Sequence, residues 1–175
     1  FSLLDNLLKW TKSQIGKLKV VYQEFNMVEV VESVSEIFTM VAGLKNIKIV
    51  QDMPVVPVVV RADIDMLKTV IRNLISNAIK FSNEGSEVLV SLREEDSMAI
   101  VSVKDSGCGI DEENQKKLLH TDTHFSTFGT NNEEGSGLGL LLCKDFVTKN
   151  GGELWFTSKK GEGSTFSFSI PLLES

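Results

Sequence analysis

The chain has 175 residues, 42% of them hydrophobic and 24% charged, a balance that supports one substantial globular domain with room for a short appended element. Its net charge of −6 excludes a general nucleic-acid binder, because no basic stripe is available for phosphate backbones. Cys108 and Cys143 are too few for a disulfide framework and predict a reduced, cytoplasmic setting, while the absence of any run of about 18 apolar residues predicts no membrane contact.

Taken in chain order, Leu3, Leu4, Leu7, Leu8, Trp10, Ile15 and Leu18 form a helical stripe with no partner helix nearby in sequence, which reads as the second half of a helical hairpin. The chain opens on Phe1 rather than Met, so a piece of something longer is expected. Residues 20–27 read as extended, and 28–44 return to helical spacing through Val30, Val31, Val34, Ile37, Phe38 and Val41. Two short strands, 48–51 and 58–61, are expected on either side of Pro54 and Pro57. Asp63 is placed to cap a helix that runs to about Phe81, with Leu67, Val70, Ile71, Leu74, Ile75, Ala78 and Ile79 as its buried face. A turn at 83–85 leads into a hairpin, 88–93 and 99–104, with 94–97 as its exposed connection. A short helix is expected over 111–119. Residues 120–136 are polar and lack any apolar period, which predicts a functional or mobile loop. A helix over 138–149 ends at Asn150-Gly151-Gly152, and two last strands, 154–158 and 165–170, flank 159–163. This irregular alternation predicts an α/β (α+β) sandwich, a mixed and mostly antiparallel sheet with helices on one face.

Three segments carry candidate chemistry. Asn73 and Asn77 are four apart, so both amides project from one face of their helix, with Lys80 beside it. Two amide oxygens and an ammonium suit a cation–triphosphate complex, although a solvated polar face explains the same spacing. Asp105-Ser-Gly107-Cys-Gly109-Ile110 follows a strand: a carboxylate there can accept from an exocyclic amine such as that of adenine, and the glycines let the backbone approach a flat base. An ordinary turn is the alternative. Gly135-Ser136-Gly137-Leu138-Gly139-Leu140 opens a helix, where backbone N–H groups can cradle phosphate. It matches neither a dinucleotide fingerprint nor a Walker loop.

In this order, and followed by Gly161-Glu-Gly163-Ser-Thr-Phe, the segments resemble the Bergerat ATP-binding fold from about residue 24 to 173. Asn73-Leu-Ile-Ser-Asn77-Ala-Ile-Lys80-Phe81 is similar to the N box of sensor histidine kinases. Residues 105–109 resemble their G1 box and 135–140 their G2 box. The resemblance implies ATP and Mg²⁺ as cofactors. Asn77 would be the Mg²⁺ ligand supported by Asn73, with Lys80 near the phosphates and Phe81 in the nucleotide pocket. Asp105 would read the adenine amine, Gly107, Gly109 and Ile110 would shape the base pocket, and Ser136, Gly137, Leu138, Gly139 and Leu140 would form the phosphate end with Gly135. Residues 120–136 would be the ATP lid, and Thr165 the small hydroxyl residue close to the adenine.

The hydrolysing branches of this superfamily place a glutamate where Asn73 stands. Without a carboxylate there, transfer to another nucleophile is favoured over activation of water. The phosphoacceptor box is absent, and the phenylalanine-rich box is present only loosely as Phe125 and Phe128. Residues 1–19 therefore read as the end of a dimerisation helix and 20–175 as the catalytic domain. The implied partners are a phosphoacceptor histidine on the kinase's own homodimer and a response-regulator receiver domain. A non-catalytic nucleotide-binding scaffold and a related serine kinase are the rival readings. His120 and His124, the only histidines, have a spacing that can hold a metal on a helix, but their segment does not read as one.

Overall fold

The computed structural model describes Leu8, residues 19–115 and residues 138–173. The stripe over 3–18 apart from Leu8, the segment 116–137 with His120, His124, Phe125, Phe128, Gly135, Ser136 and Gly137, and the side chain of Leu138 lie outside the described residues.

Among the described residues seven strands and four helices follow one another: β1 (Gln23–Asn26), α1 (Met27–Leu44), β2 (Lys48–Asp52), β3 (Val59–Ala62), α2 (Ile64–Phe81), β4 (Glu87–Glu95), β5 (Met98–Asp105), α3 (Glu112–Gln115), α4 (Leu138–Lys149), β6 (Leu154–Lys159) and β7 (Gly163–Pro171). Five strands form one sheet in the order β2-β4-β5-β7-β6, in which β2–β4 is parallel and every other pair antiparallel. β1 and β3 form a small antiparallel ribbon beside it. The expected mixed, mostly antiparallel sheet is therefore present.

The two-residue period of the strands explains why the helices cover one face. Val88, Val90 and Leu92 on β4 sit opposite Asp105, Val103 and Val101 on β5, and Val103, Val101 and Ala99 sit opposite Phe166, Phe168 and Ile170 on β7. All of these apolar side chains belong to the core shared with α1, α2 and α4. The other face carries Ser102 and Ser167, whose hydroxyls bond at 2.8 Å, together with Ser91, Lys104 and Thr165.

Local signals set the helix ends. The Asp63 carboxylate accepts from the N–H groups of Asp65 and Met66, the capping expected from the sequence, and its other oxygen accepts from Val21. At the other end of α2, Ser82 Oγ donates to Ala78 O at 2.6 Å, and the buried Lys45 ammonium donates to Ile79 O and Lys80 O at 3.0 and 2.8 Å. Helix C-termini leave carbonyls without intrahelical partners, so Lys45 both satisfies two of them and complements the helix dipole. Lys45→Met should destabilise the domain by about 1–3 kcal/mol, because these carbonyls would be left buried and unpaired. Urea unfolding of the two proteins measures the difference.

The hairpin differs from its expected form. Glu94 and Glu95 belong to β4, and the connection narrows to Asp96 and Ser97, with φ of 51° and 63°. Two successive positive φ values give a turn whose twist matches that of the flanking strands, so pairing extends to Glu95 and Met98.

Candidate nucleotide site

The C-terminal half of α2, the loop after β5 and the start of β7 converge on one another. Phe81 O accepts from Cys108 N at 3.3 Å, and Cys108 O accepts from Gly161 N at 2.7 Å. Backbone bonds from Cys108 thus hold the 105–110 loop between the end of α2 and the β6–β7 turn. Gly107 makes this possible: a Cβ there would lie 1.8 Å from Phe81 O. At Gly109 the φ is +68° and a Cβ would lie 2.1 Å from Lys159 O, so the backbone conformation and the space both require glycine.

Asp105 closes β5 on the helix-covered face and is 5% exposed. Its Oδ1 accepts from Gly107 N at 2.9 Å. Burial raises its pKa above the ordinary 3.8, and backbone N–H bonds from Gly107 and Ser164 pull it part of the way back. A buried carboxylate with so few donors around it favours a ligand that brings an N–H group of its own.

Ser164 sits directly across from Asp105, and Ser158 directly across from Ser164. The Ser158 and Ser164 hydroxyls are 2.6 Å apart, and Ser158 Oγ accepts from Ile110 N at 2.9 Å. The Gln115 amide Nε2 donates to Ile110 O at 2.6 Å and to Ser158 O at 3.1 Å. One polar network therefore ties the base loop to β6 and β7. Sequence reasoning missed Ser164, Ser158 and Gln115 and chose Thr165 instead. Thr165 pairs with Lys104 and Thr157, one residue out of step with Asp105, so its side chain lies on the opposite face of the sheet. Phe166 and Phe168, whose parity Ser164 shares, were the available signal.

On α2, Asn73 Nδ2 donates to Thr69 O at 2.9 Å, one turn back, which fixes the amide. The half-buried Asn77 side chain has no hydrogen-bond partner among the described residues. Lys80 is half-buried in the last turn, where its carbonyl takes the Lys45 bond. Gly139 and Leu140 lie in α4, and Leu140 packs against the core. The structure thus brings Phe81, Gly107, Gly109, Ile110 and Asp105 together and puts Asn73, Asn77 and Lys80 on the helix that ends there. No group of three or more His, Cys, Asp or Glu residues among the described residues could hold a metal.

Residues 62–174 match the family model described as histidine kinase-, DNA gyrase B-, and HSP90-like ATPase. The chain is 34% identical over 171 residues to the adaptive-response sensory kinase SasA of Crocosphaera subtropica, covering 97% of this chain and 44% of that protein. It is 33% identical over 132 residues to the sensor histidine kinase WalK of Bacillus subtilis, covering 74% of this chain and 22% of WalK. The solved catalytic domain of histidine kinase ThkA superposes with a TM-score of 0.74 at 30% identity, covering 86% of this chain and 95% of that one. The chain thus spans less than half the length of both sensor kinases.

Proposed function

Because the chain belongs to the family of histidine kinase-, DNA gyrase B- and HSP90-like ATPases, as an ATP-binding catalytic domain of the histidine kinase kind, we propose that it is the phosphoryl-donor half of a two-component sensor kinase. The observation that carries this reading is the buried Asp105 carboxylate at the end of β5, bordered by a glycine whose missing side chain leaves the loop against Phe81. In this reading Asp105 accepts from the adenine amine. Ser164 and Ser158 hold the loop that flanks the base, and Gly107, Gly109 and Ile110 give it its shape.

The residues also fit a divalent cation beside the phosphates. Asn77 offers a neutral amide oxygen with no partner among the described residues, and Asn73, one turn earlier on the same helix, has its amide fixed by the bond to Thr69 O. Lys80 adds a positive charge at the same helix end. Residues 135–140 form the phosphate end of the site, 120–136 its lid. Bound ATP supplies the γ-phosphoryl group, and the protein's contribution is positioning and charge neutralisation. Asn73 holds no proton-accepting carboxylate near that group, which supports transfer over hydrolysis.

The acceptor is a histidine on a helix of the kinase's own dimer that these 175 residues do not supply, and the phosphoryl group passes next to a response-regulator receiver domain. In this reading residues 1–19 belong to the dimerisation part of the kinase and residues 20–175 to its catalytic domain. The low cysteine content is in keeping with a reaction in the cytoplasm. No helix among the described residues is long and apolar enough to cross a membrane. Asn77→Ala tests the cation assignment. With no side-chain partner to lose among the described residues, the variant should melt like the parent, while the Mg²⁺-dependent part of its ATP affinity disappears in titrations with and without the metal. An unchanged Mg²⁺ dependence sinks the role given to Asn77.

A further inference from the structure

Helix α1 presents two apolar stripes, and among the described residues one of them is packed into the core. Val30, Val31, Val34 and Ala42 are buried in the core. Beside them Ile37, Met40, Val41 and Leu44 recur at i, i+3, i+4 and i+7 and are 63, 80, 48 and 88% exposed. Their combined surface is on the order of the few hundred Å² at which a contiguous apolar patch marks an interaction site. α1 packs against α2 and over β2, the border strand of the sheet, so the stripe lies on the outer flank of the molecule, where a partner can approach.

Charge narrows the choice of partner. Between Lys19 and Lys45 the chain carries Glu24, Glu29, Glu32 and Glu36 and no lysine or arginine. The last turn of α1 has no basic residue, and the Lys45 ammonium at its cap is turned to the carbonyls of α2. The next basic residue, Lys48, stands opposite Glu87 in the β2–β4 ladder. The exposed stripe is therefore bordered by carboxylates on one end and by the negative pole of a helix dipole on the other. A second copy of this chain would set like charges together, and an anionic lipid surface would be repelled.

We propose that this face of α1 is a docking surface for an amphipathic helix of another protein, one whose apolar side is bordered by lysine or arginine. Apolar contacts give such a complex its affinity and the flanking charges its selectivity. The site is separate from the nucleotide pocket and does not depend on it.

The test uses two fluorescent designed helices with the same leucine face, one flanked by lysines and one by glutamates, titrated with the 175-residue chain. The lysine-flanked helix should bind at least about tenfold more tightly, and the difference should shrink at high salt. The double variant Met40→Ser, Leu44→Ser keeps the net charge and alters only exposed positions. It should melt as the parent does and lose at least about tenfold in affinity for the lysine-flanked helix. Equal binding of both helices, binding that the serine variant retains, or binding of neither, as when another part of the chain covers the stripe, overturns the proposal. So does a concentration-dependent dimer in sedimentation that the variant abolishes, since the occupant is then a second copy.

Discussion

Asp105→Asn should leave the domain folded and remove most of its affinity for ATP. The asparagine oxygen can still accept from Gly107 N, the bond that Asp105 Oδ1 makes at 2.9 Å, so the turn after β5 persists. Its amide nitrogen, however, is a donor where the adenine amine also offers donors. Loss of a hydrogen bond to a charged acceptor costs about 1.5–3 kcal/mol, roughly 10- to 150-fold in Kd. The pH dependence follows from the raised pKa of Asp105. The acceptor is the ionised form, so ATP affinity falls as pH drops through the folded-state value, and the asparagine variant loses that dependence. For folding the sign is opposite. The folded state holds this proton more tightly than the unfolded chain, so the group's contribution to stability is present below 3.8 and lost as pH rises through the raised value. At neutral pH the variant should therefore be at least as stable as the parent. A variant that binds ATP like the parent removes Asp105 from the base pocket.

Gly107→Ala should damage folding and binding together. The added Cβ would sit 1.8 Å from Phe81 O, 2.6 Å from Phe81 C and 3.0 Å from the Asp105 carboxylate, and two of these atoms are main chain. Neither the end of α2 nor the loop can yield without moving a residue of the site. Overpacking typically costs about 1–3 kcal/mol, and a clash with backbone belongs at or above the top of that range. Gly43→Ala is the internal comparison. A Cβ there meets nothing within 4 Å, and alanine in a helix gains up to about 1 kcal/mol over glycine. Urea denaturation should move the two variants in opposite directions, with ATP affinity lost only in the first. If Gly107→Ala unfolds at the parent's midpoint, the close approach of loop and helix is not a requirement of the fold.

The elements that were legible in the sequence share a property: their signals are local. The Asp63 cap and the 3.6-residue stripe define α2 to its last residue, and the helix that reaches Lys149 ends where its pattern predicts. The hairpin connection was less legible because Asp96-Ser97 lacks the glycine that advertises a two-residue turn. The parallel pairing of β2 with β4 left no local trace at all, since it joins strands separated by the whole of α2. At the site, motif spacing located Asp105, Gly107 and Gly109, which act through backbone geometry that a short motif encodes. Ser158, Ser164 and Gln115 meet only when β6, β7 and the base loop assemble, and the resemblance that pointed to Thr165 could not show that Ser164, one residue earlier, is the hydroxyl residue paired with Asp105.

The most direct test of the central claim is a calorimetric titration of the 175-residue chain with ATP and with GTP, each with and without Mg²⁺. A carboxylate that reads an exocyclic amine favours adenine, because guanine presents a carbonyl at the corresponding ring position and would set two acceptors face to face. Mg²⁺-enhanced binding of ATP, with GTP weaker by at least about tenfold, is the predicted result. Equal affinity for the two nucleotides, or no heat with either, contradicts the account.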